Sequence, residues 1–108
     1  MSYISAHVLD TMAGTPAQGI TVRLQHAAGE QIAAAVTDSD GRVGDLGPQT
    51  LDPGGYRITF ETGEYFSSRR RATFFPRVTV DFTVEHGEAH YHVPLLLSPF
   101  AFSTYRGS

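Results

Sequence analysis

Histidines at three positions are the residues whose types and spacing could do chemistry in this chain. His90 and His92 lie two positions apart, and His7 lies near the start. Because imidazole titrates near neutral pH, such histidines can activate a water molecule and protonate a leaving group. The same three side chains have the ligand types of a catalytic zinc centre. The pattern fits equally well a pair of exposed polar residues on the wet face of a sheet.

An arginine directly after a predicted turn is the other side chain that could act on a substrate. Without other clues, an exposed residue after a tight turn is the better explanation of Arg42. The turn before it superficially resembles a calcium loop that starts at Asp38. That interpretation fails because Val43 and Gln49 occupy the sixth and twelfth positions, where Gly and Glu are required.

Strands must position these side chains, because apolar and polar residues alternate along most of the chain. Turn signals rich in Gly, Pro and Asp separate the alternating segments at intervals of roughly 8 to 12 residues, which predicts an all-β sandwich. The predicted strands cover residues 3–10, 20–25, 31–37, 56–61, 78–84, 88–96 and 103–106. Residues 62–72 lack clean alternation and are predicted to contain one short helix.

The alternation also assigns each histidine to a face of its strand. Ser5 and His7 point away from the side that the apolar residues of the first strand would bury. His90 and His92 share a face as well, opposite the apolar residues between and after them. The residues expected in the core from these two strands are Ile4, Ala6, Val8, Tyr91 and Val93. The histidines are therefore predicted to lie on a non-core face, where chemistry is accessible.

The composition limits the classes of protein that this chain could belong to. Its 108 residues are 41% hydrophobic and 18% charged, which is typical of a single globular domain over residues 1–108. A net charge of −3 offers no electrostatic footprint for nucleic acid. The chain has no cysteine for disulfides and no apolar run long enough to span a membrane. Since the start does not resemble a signal peptide, we expect a cytoplasmic location.

Four segments together resemble the 5-hydroxyisourate hydrolase family, also called transthyretin-related proteins. They are AHVLD at residues 6–10, TDSDGR at 37–42, HYHVPLLLSP at 90–99 and STYRGS at 103–108. The first two are weak alone, whereas the last two are highly specific. The ending Tyr-Arg-Gly-Ser in particular separates the hydrolases of this family from the thyroid-hormone carrier transthyretin.

The resemblance implies a fold and an assembly. The expected fold is a transthyretin-like β-sandwich of two four-stranded sheets, with a short helix after the fifth strand. The expected assembly is a homotetramer, a dimer of dimers, with active sites at the ends of a channel between the dimers. The expected reaction is hydrolysis of 5-hydroxyisourate during urate breakdown, with no metal and no cofactor. The terminal segment would then be buried by assembly, although terminal residues usually fray.

The resemblance also assigns roles to particular residues. The expected catalytic residues are His7, Arg42, His92 and Ser108. The substrate is expected to contact these same residues except His92, and also Tyr105 and His90. The histidines would activate water and move protons, and the resemblance does not assign which of them is the base and which the acid. Arg42 would hold the substrate or stabilise the developing oxyanion.

Three alternatives stay open from the sequence. A transthyretin-like carrier of a small aromatic ligand would need neither the histidine pair nor the fixed terminal segment, so the sequence argues against it. A zinc amidohydrolase could be built on the three histidines. An immunoglobulin-like adhesion module is disfavoured because the chain lacks cysteine and a signal peptide.

Overall fold

Two β-sheets and one short helix make up the computed structural model, which describes residues 2–108. The all-β sandwich with one helix that the sequence predicts is confirmed. In chain order the elements are β1 (Ile4–Asp10), β2 (Thr15–Pro16), β3 (Thr21–His26), β4 (Gln31–Val36), β5 (Arg42–Val43), β6 (Gly54–Phe60), α1 (Thr62–Ser68), β7 (Val78–Val84), β8 (Tyr91–Leu97) and β9 (Phe102–Thr104).

The first sheet has five strands, one more than expected. Its order is β2-β1-β8-β9, and β5 pairs with β1 as well, whereas the second sheet has the expected four strands in the order β4-β3-β6-β7. The fifth strand arises because two short strands share β1: β2 pairs with Leu9 and Asp10, and β5 pairs with Ala6 and His7. The alternation predicts neither β2 nor β5, since two residues cannot show a period of two.

The core lies between the sheets, and the alternation of β1 and β8 builds one side of it. All five residues expected there from these strands are buried: Ile4, Ala6, Val8, Tyr91 and Val93. The second sheet and the helix contribute Leu24, Phe60 and Phe66, which are fully buried. Each such large apolar side chain contributes about 1.5–3 kcal/mol on burial. This packing fixes β1 and β8 while their other faces stay accessible.

The ends of β8 and β9 differ from the predicted boundaries. β8 begins at Tyr91 rather than at residue 88, because its parallel partner β1 begins at Ile4, directly opposite Tyr91. β9 ends at Thr104 rather than at residue 106, and the ladder then resumes as a single bridge between Gly107 and His92. The interruption falls opposite Pro94 of β8, because proline has no N–H to donate to the ladder.

The helix is shorter than the predicted segment and ends before the arginine cluster. It covers Thr62–Ser68, and the backbone leaves the helical conformation at Arg70, whose φ is 57°. It follows the sixth strand rather than the fifth, because β2 adds one strand to the count. Tyr65 and Phe66 turn towards the core and are buried. No helix within residues 2–108 is long and apolar enough to cross a membrane.

A buried carboxylate joins the end of β1 to the helix. Asp10 is 1% exposed, and one of its oxygens accepts hydrogen bonds from the N–H groups of Met12 and Ala13. The other oxygen accepts from the Tyr65 hydroxyl at 2.7 Å and from Arg71 at 3.3 Å. Burial of the phenol, together with this bond to the carboxylate, raises the pKa of Tyr65 to about 12. The carboxylate is therefore fully engaged by the surrounding structure.

Candidate active site

A tight turn places Arg42 beside His7. A side-chain oxygen of Asp38 accepts hydrogen bonds from the N–H groups of Asp40 and Arg42, at 2.9 and 3.0 Å. These bonds, the one from Arg42 being the larger effect, hold the pKa of Asp38 below its usual range despite some desolvation. Gly41 adopts a φ of 72°, and a Cβ there would collide with a carbonyl oxygen of β1. β5 consequently pairs with β1 so that Arg42 lies opposite His7.

The orientation of the His7 ring is set by the same turn. Its Nε2 donates a hydrogen bond to the backbone carbonyl of Asp40, with a nitrogen–oxygen distance of 3.0 Å. Because a carbonyl oxygen can only accept, Nε2 carries a proton, and Nδ1 is the nitrogen that the neutral ring leaves basic. The His7 ring lies 6.5 Å from the His92 ring, centre to centre, with an angle of 30° between their planes.

His92 reaches the same face from β8. Its register partner on the parallel strand β1 is Ser5, and the Ser5 hydroxyl lies 2.7 Å from His92 Nδ1. The same hydroxyl lies 2.8 Å from His90 Nε2, and His90 Nδ1 donates to the Ser2 carbonyl at 3.2 Å. His90 and His92 therefore share a face, as the alternation predicts. Within residues 2–108, His92 Nε2 makes no hydrogen bond.

The electrostatic surroundings of His92 favour the neutral imidazole. Partial burial lowers the pKa of His92 most, and the charge of Arg42 lowers it further, as would a proton on His7 or His90. The Arg42 side chain is exposed, and its guanidinium makes no hydrogen bond or ion pair within the part of the chain that the structure describes. A neutral base and a cation whose guanidinium makes no hydrogen bond thus lie on one face, a combination suited to attack on a polarised carbonyl.

The terminal segment returns to His92 beyond the break in the ladder. The Gly107 N–H donates to the His92 carbonyl at 2.8 Å, and the Thr104 hydroxyl donates to the Pro94 carbonyl at 2.7 Å. These bonds hold the last residues against β8, so the segment is not a detached tail. Ser108 is exposed and borders the same groove as His90 and His92.

A groove of about 500 Å³ brings most of the expected site residues together. Its polar lining consists of Ser5, Arg42, His90, His92 and Ser108. His7 lies beside this groove through its ring contact with His92. Tyr105 does not line it; the tyrosine is 58% exposed and borders a neighbouring cavity of about 360 Å³, which it shares with His92.

Ser5 is the polar residue of the groove that sequence reasoning did not include in the site. The alternation places it on the same face as His7, but a serine beside a histidine carries no signal of its own. Within residues 2–108 no group of three or more His, Cys, Asp or Glu side chains is arranged to hold a metal ion.

The structure defines a class of protein, a transthyretin-like β-sandwich with a polar groove on the outer face of one sheet. A family model described as the HIUase/Transthyretin family matches residues 4–107. The chain belongs to this family, and the resemblance carried by its four sequence segments is confirmed. The single domain over residues 1–108 stays a prediction, with Met1 outside the described residues.

Individual relatives include proteins with two kinds of function. The chain is 45% identical over 109 residues to a protein of Salmonella dublin named 5-hydroxyisourate hydrolase, with 97% of this chain and 80% of that protein covered. It superimposes on the 5-hydroxyisourate hydrolase of Klebsiella pneumoniae with a TM-score of 0.90 and 42% identity, covering 100% and 94% of the two chains. Sea bream transthyretin in complex with thyroxine gives a TM-score of 0.89 at 32% identity, covering 97% and 94%.

Proposed function

We propose that this protein hydrolyses 5-hydroxyisourate to 2-oxo-4-hydroxy-4-carboxy-5-ureidoimidazoline in urate degradation. The observation that carries the proposal is the groove in which neutral His92 lies near the exposed guanidinium of Arg42. The names of the relatives at 42–45% identity support the same reaction. A carrier for an aromatic hormone would gain little from a basic imidazole and an exposed guanidinium at this place.

In the proposed mechanism, His92 acts as general base. Its Nε2 takes a proton from water while the water oxygen bonds to the carbonyl carbon of the six-membered ring. The carbon–nitrogen bond of the ring amide then breaks, and the His92 imidazolium returns the proton to the departing nitrogen. The acid product ionises to a carboxylate. Such acid–base assistance contributes typically about 100- to 10,000-fold to a rate.

The other site residues are proposed to bind the substrate and stabilise charge. Arg42 would donate paired hydrogen bonds to the developing oxyanion or to an anionic edge of the substrate. His7, whose ring lies next to that of His92, would also contact the substrate and assist proton movement. Ser108 and Tyr105 would fix the orientation of the ring, with His90 supporting them. We propose that this chemistry needs no metal and no other cofactor.

The proposed assembly is a homotetramer, a dimer of dimers. Support comes from large apolar side chains that the single chain leaves exposed: Phe74 at 73%, Phe100 at 68% and Phe102 at 40%. Phe102 stacks edge-on against Phe75, which extends the apolar surface. Sedimentation equilibrium should give four times the chain mass of 11.7 kDa. A fully active monomer would contradict the assembly. The cytoplasmic location stays a prediction.

Spectrophotometry tests the reaction directly. Urate oxidase generates 5-hydroxyisourate from urate in the cuvette, and the decay of its absorbance is followed with and without the protein. We expect the decay to exceed the spontaneous rate, and to be unchanged after dialysis against a chelator. Decay at the spontaneous rate, together with thyroxine binding, would instead favour a carrier. Activity lost on chelation and restored by zinc would overturn the metal-free mechanism.

A further inference from the structure

The Ser5 hydroxyl lies between the two histidines of the groove and touches both. Its oxygen is 2.8 Å from His90 Nε2 and 2.7 Å from His92 Nδ1. The parallel pairing of β1 with β8 sets Ser5 opposite His92, and the buried neighbours Ile4 and Ala6 anchor β1 on the core side. The contact is therefore built by the fold rather than made by a mobile side chain.

The positions of the protons in this chain of hydrogen bonds follow from its fixed end. The Ser2 carbonyl can only accept, so the His90 Nδ1 that contacts it carries a proton. With His90 neutral, its Nε2 has a lone pair and accepts the single hydroxyl proton of Ser5. The Ser5 oxygen can then only accept from His92, so His92 Nδ1 carries a proton. A neutral His92 is consequently bare at Nε2.

We propose that Ser5 is a positioning residue that, together with His90, holds His92 in the tautomer whose basic nitrogen is Nε2. The proposal adds a positioning residue to the hydrolase mechanism, and its expected effect on kcat rests on the proposed function. Within residues 2–108, Nε2 is the ring nitrogen of His92 without a hydrogen-bond partner, so it is the one available to a water molecule. Ser5 acts on the reaction only through the imidazole.

Loss of the Ser5 hydroxyl is expected to impair the base without removing the groups that bind the substrate. Without the Ser5 hydroxyl, His92 could carry its proton on either nitrogen, and the tautomer with a proton on Nε2 cannot take another from water. The base would then be present but often in the wrong form. A wrong tautomer lowers turnover while leaving the contacts that bind the substrate in place.

The test compares Ser5→Ala with Ser5→Thr, which keeps the hydroxyl and suits a strand. Nitrogen-15 NMR of labelled histidine reads the tautomer of His92 without any substrate. We expect Nδ1 to be protonated and Nε2 bare in the unaltered protein and in Ser5→Thr, and both forms to be populated in Ser5→Ala. In the absorbance assay, kcat of Ser5→Ala should fall about 10- to 100-fold with little change in KM, and Ser5→Thr should recover most of it.

The two readouts separate this inference from the proposed function. A proton on Nε2 of His92 in the unaltered protein would overturn the inference, even if Ser5→Ala did not fold. A folded Ser5→Ala protein with the original tautomer and unchanged kcat would overturn it as well. If the unaltered protein lacked hydrolase activity but showed the expected NMR shifts, the tautomer control would stand and the proposed reaction would fail.

Discussion

Two polar clusters lie on opposite faces of the sheet that contains β1, β5 and β8, and they differ in how many of their polar atoms have a hydrogen-bond partner. On the core face, Asp10 is buried and its carboxylate accepts four hydrogen bonds. On the outer face, His92 and Arg42 keep side-chain nitrogen atoms without a hydrogen-bond partner inside residues 2–108. Since a buried charge is stable only when paired, the first cluster is expected to serve stability. The second cluster has donor and acceptor atoms available for hydrogen bonds to a substrate.

The largest expected effect comes from removing the base of the outer cluster. His92→Ala should lower kcat about 100- to 10,000-fold, because the proposed general base is lost. The free energy of unfolding should change little, since His92 lies off the core face. The absorbance assay and urea unfolding measure the two quantities. The matched control is His86→Ala, an exposed histidine in a turn, which should retain activity. A folded His92→Ala protein with normal kcat would remove His92 from the mechanism.

The next effect should appear in the inner cluster and in stability rather than in turnover. Asp10→Asn removes the charge that Arg71 and the Tyr65 hydroxyl engage, and we expect a loss of about 3 kcal/mol in unfolding free energy. Asp81→Asn, which alters an exposed ion pair with Arg57, should cost at most about 1 kcal/mol. If Asp10→Asn were as mild as Asp81→Asn in urea unfolding, the contrast between the clusters would be wrong.

Sequence patterns predict the outer cluster better than the inner one, for a physical reason. Alternation alone places His7 and His92 on non-core faces, because a strand has a period of two. The contact of Ser5 with His92 depends on the parallel register of strands that lie far apart in the chain, which no local pattern encodes. Asp10 falls on the predicted core face, but its partner Tyr65 comes from the helix, so only the tertiary fold explains it.

The short strands were beyond sequence prediction for a different reason. β5 exists because the turn from Asp38 to Gly41 returns the backbone to β1, and its two residues show no alternation of their own. The specific match of STYRGS at residues 103–108 points to the terminal segment. It does not indicate that Gly107 bonds to the His92 backbone, since this depends on how the ladder resumes after its interruption.

A smaller effect should follow from adding one methyl group next to the outer cluster. A Cβ at Gly107 would lie 2.6 Å from His92 Cδ2, so Gly107→Ala must push a ring that Ser5 holds on its other side. We expect kcat to fall about 10- to 100-fold, since a displacement of about 1 Å can cost that much. Gly55→Ala is the control, because Gly55 does not line the groove and its Cβ would make only an ordinary contact with the Ala27 side chain at 3.4 Å. Equal kcat values for the two variants would mean that the ring moves freely.

The pH dependence of turnover sharpens the comparison further. The pKa of His92 lies below its usual value of 6.5, because of burial and the neighbouring charge of Arg42. The neutral base therefore persists through neutral pH, and kcat/KM should decline only in a window below 6.5, by about tenfold per pH unit at its steepest. A profile that falls already above pH 7 on the acid side would contradict this assignment. The measurement is the initial rate in buffers of constant ionic strength.

The last prediction concerns the acid limit of the fold, which the inner cluster should set in part. Burial alone would raise the pKa of Asp10, but the hydrogen bonds from Ala13 and Tyr65 and the charge of Arg71 outweigh it and hold that pKa below 3.8. The stabilisation is thus complete above the unfolded value and is lost as pH falls through the lower folded value. Unfolding free energy should therefore decline at lower pH than kcat/KM does. In Asp10→Asn this low-pH decline should weaken, and an unchanged decline would assign it to other carboxylates.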